Sequence, residues 1–120
     1  MPDRAKLALA DFLAAERDAA RQAFLADDIA MAWHHLERAH IIAQMRLVPH
    51  LVSHWAMLRL ALHQRDAHEV MGQLFRLFLA PIGNLTGHLP LGNTGRSTVS
   101  AFAPMDIPRD LQHAMSESAR

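Results

Sequence analysis

Cysteine is absent from the 120 residues, which excludes disulfides, thiolate metal sites and cysteine nucleophiles together. Any metal held by this chain must use nitrogen, oxygen or thioether donors. An excess of charge of either sign is lacking too: twelve basic and twelve acidic residues cancel, and neither sign forms a block. The electrostatic footprint of a nucleic-acid or membrane-surface binder is therefore missing, and neither is an expected partner. No stretch approaches the 18 or so consecutive apolar residues of a membrane span. The opening run MPDRAKLALADFLAAERDAAR carries Asp11 and Glu16 among its apolar residues, so it has no uninterrupted apolar segment of the secretory kind. The expected compartment is the cytoplasm. Tyrosine is absent and aromatics amount to 6%.

What is abundant is imidazole, with nine histidines in the chain. Histidine titrates near pH 6.5 and is the commonest metal ligand, so the excess points to metal binding or to pH-sensitive packing. The hydrophobic fraction of 51% is enough for one core, and the length falls within the single-domain range of roughly 100 to 200 residues.

Periodicity and punctuation predict an all-α fold of about four helices. Leu9, Phe12, Leu13, Ala20, Ala23 and Phe24 recur at helical spacing from about Asp3 to Leu25. The pair Asp27-Asp28 then supplies an N-cap, and Ile29, Ala32, Trp33, Leu36, Ala39, Ala43 and Leu47 mark a second stripe. Val48-Pro49 restarts the chain, since proline suits a first turn. Leu51, Leu58, Ala61 and Leu62 trace a third helix to about Gln64. Asp66 with Glu69 fits a capping box, and Val70, Leu74 and Leu77 carry a fourth helix to Ala80, where Pro81 ends it.

Residues 1–80 are thus expected to form two helical hairpins, as a bundle or in tetratricopeptide-like fashion. A weak internal match at an offset of 38, Asp28 to Asp66, Leu36 to Leu74 and Arg38 to Arg76, is compatible with either. Residues 81–120 hold all but one of the glycines and most of the prolines. They read as an irregular tail, part of the same domain, with a short helix near 107–115. Leu89, Leu91, Val99, Phe102 and Met105 are expected to anchor it on the bundle.

On a wheel of 100° per residue, His40 falls on the core face of the second helix while His34 and His35 point away. Glu37 lies on the shoulder of that face and Gln44 follows it. His50, His54 and Met57 form one stripe of the third helix. Glu16 sits at the centre of the apolar face of the first. A carboxylate buried alone is so costly that such groups pair, bind metal or neutralise. Glu16, Glu37, His40, His50 and His54 are accordingly expected to meet and to offer a first shell for zinc, iron, manganese or nickel. Glu37-x-x-His40 is the spacing with which di-iron bundles aim ligands inward. It occurs once, and the fourth helix offers only Glu69, Gln73 and Arg76 on one stripe, so a full di-iron site is not supported.

The bland alternative stands beside this: histidines and carboxylates on apolar faces also form hydrogen-bonded networks that fix helix register. Glu69 is explained by its capping box. His63, His68, His88 and His113 read as surface residues, Met45, Met57 and Met71 as core filler, and Trp33 and Trp55 as packing at the core edge. In LPLGNTGRST the segment Gly92 to Gly95, with Asn93, reads as a turn rather than a phosphate cradle, because it lacks the Gly-Lys-Ser/Thr ending. Asn84-Leu85-Thr86 matches a glycosylation sequon, which is irrelevant to a cytoplasmic chain.

The runs AWHHLERAHIIAQ, His50-x-x-x-His54-x-x-Met57-Leu58, EVMGQLFR, LPLGNTG and PMDIPRDL together resemble a family of small bacterial proteins known only as a domain of unknown function. The resemblance spans nearly the whole chain. It implies a compact helical bacterial protein with Glu37, His40, His54, Gln73 and Asn93 in the family's characteristic segments, and it implies no activity or cofactor.

Two readings follow. In one, the chain is a divalent-metal-binding accessory protein using Glu37, His40 and His54, with Glu16 and His50 as further ligands and Gln44, Gln73, Arg76 and Asn93 around them. In the other, it is a metal-free helical-hairpin adaptor for a protein partner or a second copy of itself. No complete catalytic signature is present, so an enzyme is not the expected outcome.

Overall fold

In a computed structural model, residues 4–118 are described; the expected helix start at Asp3 lies outside them. The elements are α1 (Arg4–Leu25), α2 (Ile29–Ala43), α3 (Leu47–Gln64), α4 (Ala67–Thr86) and α5 (Arg109–Ser118), with no strand among the described residues. α1 pairs with α2 and α3 with α4 as two hairpins, joined through α2 against α3, and α5 lies on α1 and α2. No described helix is long and apolar enough to cross a membrane.

The boundaries follow local chemistry. The Asp28 side chain accepts from the Met31 amide, and that of Asp66 from the Glu69 amide, each satisfying an orphan donor of a helix start. Arg65 closes α3 in the left-handed conformation. Two apolar clusters hold the hairpins together. One gathers Ala32, Trp33, Met57, Leu60 and Ala61, and the other Ile41, Ile42 and Leu111 with Leu9, Phe12 and Ile107. Trp33 is buried and donates to Gln64 Oε1 at 2.6 Å. Trp55, by contrast, is 57% exposed, and Met45 and Met71 also face outward.

Three expectations need correction. α4 does not end at Ala80 but runs through Pro81 to Thr86. An interior proline costs a helix roughly 3 kcal/mol. Here the turn beyond it is retained by Asn84, whose Nδ2 donates to the Gln44 carbonyl at 2.9 Å and whose Oδ1 accepts from His50 at 2.7 Å. Gly87, with φ of 77°, then caps the helix.

Second, the stripe Val70, Leu74 and Leu77 is only partly inward: Val70 packs against the Trp33 and Met57 cluster and Leu77 is half-buried, while Leu74 is exposed. The buried side chains of α4 are Glu69, Gln73, Arg76 and Ala80, while Met71, Leu74, Phe75, Phe78, Ile82 and Leu85 are exposed. Third, Glu69 does not reach back as a capping-box partner; its carboxylate receives Arg96 and the Ser97 amide.

The tail wraps the bundle, but polar groups do most of the anchoring. Leu91, Phe102 and Met105 are exposed, whereas Asn93 is 2% exposed and donates to the carbonyls of Ser100 and Ala103 at 2.7 and 2.8 Å. Arg76 donates to those of Arg96 and Val99 at 2.9 and 2.7 Å.

Candidate metal centre

Where α2 ends and α3 begins, the chain turns tightly, and this brings His40 of α2 against His50 and His54 of α3, one helical turn apart. Their three Nε2 atoms lie 3.1 Å from one another on every side. All three rings are at most 5% exposed.

The other ring nitrogen decides what those contacts are. His40 Nδ1–H donates to the Asn93 carbonyl at 2.8 Å, a group that only accepts. His50 Nδ1 meets Asn84 Oδ1 at 2.7 Å, and the Asn84 amide orientation is set because its nitrogen donates to the Gln44 carbonyl. His54 Nδ1 meets Gln73 Oε1 at 2.8 Å, and Gln73 is oriented likewise by donating to the Gly95 carbonyl at 2.8 Å. Each neutral imidazole therefore carries its proton on Nδ1, and all three Nε2 lone pairs converge with no hydrogen between them. The 3.1 Å separations are not hydrogen bonds.

Protonation does not relieve this arrangement easily. Burial holds His40 well below the ordinary histidine range, reinforced by His54, His50 and Arg76 and opposed by its bond to Asn93. Burial likewise pushes His54 down to about 4, with the Gln73 bond opposing and His50 and Arg76 adding to the fall. His50 is lowered by burial against its bond to Asn84. Converging imidazole lone pairs, each backed by an Nδ1–H bond to an oxygen, are the arrangement of protein metal ligands and their outer-shell partners. The His40/His50/His54 group can hold a metal ion.

The GNTG segment forms one wall of this centre. The Asn93 and Gly95 carbonyls receive His40 and Gln73 respectively, and Gly95 has φ of 84°, where only glycine sits without strain. A Cβ there would also lie 2.8 Å from the His40 ring. A cavity of about 230 Å³ opens onto the three imidazoles. Gln44, Arg76, Leu79, Ile82, Leu89 and Phe102 are among the residues around it.

The remaining expected residues are placed elsewhere. Glu16 is buried, but it accepts from Arg38 Nε at 2.7 Å and meets His35 Nδ1 at 2.8 Å. Arg38 also bridges to Asp110 of α5. Glu37 lies 3.7 Å from Arg96, whose guanidinium stacks 3.7 Å over Trp33. Burial raises the Glu37 carboxyl, with Arg96 opposing and Glu69 adding. Both carboxylates thus tie elements together outside the histidine cluster. Gln73 and Asn93 orient its imidazoles, and Gln44 and Arg76 line its cavity.

Asn84 is the one orienting residue that sequence reasoning missed. Ending α4 at Ala80 removed it from the inward stripe of Gln73, Arg76 and Ala80 that it continues. His63, His68, His88 and His113 are exposed, and His63 packs edge-on against Phe24.

Comparison with curated proteins and with solved structures finds no match. A family model described as protein of unknown function (DUF3703) matches residues 7–115, and the chain belongs to that family.

Proposed function

We propose that this protein is a cytoplasmic accessory protein that binds one divalent transition-metal ion through Nε2 of His40, His50 and His54. One observation carries the reading: three buried Nε2 atoms 3.1 Å apart whose Nδ1 protons are all committed to oxygen acceptors. Zinc–nitrogen bonds of about 2.0–2.1 Å put tetrahedral nitrogens roughly 3.3 Å apart, so a small expansion of the triangle suffices. Three neutral imidazoles and no carboxylate favour zinc, nickel or iron over manganese, which prefers oxygen donors. The cavity borders all three histidines, so an ion they held would be approached from it. We favour a carrier or buffer role; besides the three ligands and Arg76, His88 is the titratable side chain that lines the cavity.

The test is elemental analysis and zinc titration of untagged protein purified without chelator. About one equivalent of metal is expected in the wild type and none in a His40→Ala/His54→Ala variant that remains helical. Wild-type protein that stays metal-free after incubation with zinc, nickel and iron would sink the reading.

The adaptor alternative draws support from a different observation. Met71, Phe75, Phe78, Ile82 and Leu85 form an exposed apolar stripe along α4, at the spacing by which helices pack on other helices. Sedimentation velocity of the wild type against a Phe78→Ser/Leu85→Ser variant tests it. Self-association that the variant loses supports an interface between copies, and a monomer at every concentration removes that form of it.

A further inference from the structure

We infer that the groove between α1 and α3 is a binding site for a small amphipathic anion, a hydrocarbon chain that ends in a single carboxylate or phosphate group. This inference is independent of the metal reading. α1 and α3 both pack on α2 but not along one another, so α2 forms the floor of a groove of about 890 Å³ with α1 and α3 as its walls. Side chains join the walls at two points: Arg17 donates to the Pro49 carbonyl at 3.3 Å, and Phe24, two turns further along α1, packs edge-on against His63. Those crossings bound the space along its length, and its volume lies within the roughly 300–1,000 Å³ of ligand pockets. A small molecule fits it better than a partner's helix, which needs an open channel.

The lining selects the chemistry. Its apolar part joins Leu36 and Ala39 of α2 to Val52, Ala56 and Leu60 of α3, and Phe24, Val52 and Leu62 of the same lining are 40%, 44% and 57% exposed. Grouped apolar surface of this kind marks a binding site, and a hydrocarbon chain laid on it removes it from water. The charged part has one sign. Arg17, Arg21 and Arg59 line the groove with His63, and no aspartate or glutamate does. Asp11, Glu16 and Asp18 of α1 and Glu37 of α2 lie outside it, and α3 contains no acidic residue. None of the three arginines forms an ion pair among the described residues. Arg17 is half-buried, and burial lowers its guanidinium from the ordinary value with no carboxylate opposing. Arg17 and Arg21 stand one helical turn apart on α1, close enough to share one anionic head, and the guanidinium fork matches carboxylate and phosphate oxygens. A cationic chain would meet three like charges there, and a neutral one would leave the arginines without a partner.

The experiment is calorimetric titration of the full chain with dodecanoate and with dodecyl phosphate, each below its micelle-forming concentration. Saturable binding at a single site is expected, and the tighter of the two names the head group. Dodecanol, with the same chain and no charge, and dodecyltrimethylammonium should each bind at least tenfold more weakly. Arg17→Met/Arg21→Met should weaken the anions at least tenfold and leave dodecanol unchanged, a discrimination that mere loosening of the fold does not produce. Should that variant fail to fold, Ala56→Trp, which fills the groove from the α3 wall, should abolish binding of both anions. Absence of saturable binding by either anion, dodecanol binding as tightly as they do, or unchanged affinity in either variant overturns the site and leaves the metal reading untouched. A dimer in sedimentation velocity that Ala56→Trp abolishes would assign the groove to a second copy of the chain and overturn it as well.

Discussion

α2 and α4 are both amphipathic, yet they bury opposite kinds of face. α2 turns Ala32, Trp33, Ala39, Ile41 and Ile42 inward and admits one polar residue, His40. α4 turns Glu69, Gln73 and Arg76 inward and leaves Met71, Phe75, Phe78 and Ile82 exposed. The first is held by removal of apolar surface from water, at about 25 cal/mol per Å². The second is held by directional bonds: Gln73 to His54 and the Gly95 carbonyl, Arg76 to two tail carbonyls, Glu69 to Arg96 and the Ser97 amide. Amphipathicity fixes where the two faces of a helix lie. Which face goes inside depends on what the neighbours present, and α4 faces a tail that presents the backbone carbonyls of Gly95, Arg96 and Val99.

If this contrast holds, substitutions on the two helices should separate sharply. Ile41→Ala removes apolar side chain from the α2 core and should cost about 4 kcal/mol by urea unfolding. A loss near zero would place the core elsewhere.

The histidine cluster should make the metal-free protein acid-sensitive. The unfolded chain takes up a proton on each histidine below about pH 6.5, whereas folded His54 does so only near 4. Stability is therefore complete above pH 6.5 and declines as pH falls toward 4, by about 3 kcal/mol from His54 alone. Melting curves at several pH values between 7 and 4 measure this, and a flat stability profile across the window would count against burial of neutral imidazoles.

Gln73→Leu keeps the shape of the α4 stripe but strands the His54 Nδ1–H and the Gly95 carbonyl, so a loss of about 2–3 kcal/mol is expected. Zinc affinity should fall by roughly 10- to 100-fold with it. A stability loss without a change in zinc affinity would mean that Gln73 does not orient a ligand. At the small end, Phe78→Ala on the outward face should change monomer stability by less than about 0.5 kcal/mol. A cost several times larger would show that the apolar face is covered after all.

Much of the architecture was readable from residues alone. Asp28 and Asp66 announce helix starts, Pro49 sits in a first turn, and the periodicity of residues 29–43 and 47–64 identifies α2 and α3. The wheel also put His40 and His54 inside, and the structure has both buried. The reading stopped short where a local rule was overruled by distant partners. Pro81 should end a helix, but Asn84 holds the next turn to α2 and α3. Glu16 and Glu37 lie on inward or shoulder positions, as the wheel suggested, yet their partners are Arg38, His35 and Arg96, which no helical projection brings near.

What the sequence determined by itself is the set of elements and the donor chemistry: five helices punctuated by aspartate, proline and glycine, and a metal-ligand supply restricted to nitrogen, oxygen and thioether by the lack of cysteine. These depend on interactions within a few residues, or on composition, and need no fold. Tertiary structure alone decided that three imidazoles meet without a carboxylate, that the GNTG segment becomes their outer wall, and that α4 buries Glu69, Gln73 and Arg76. Those outcomes depend on side-chain hydrogen bonds between residues 19 to 53 positions apart in the chain. Such bonds have strict distance and angle requirements, so only the packed backbone settles which donors and acceptors find each other.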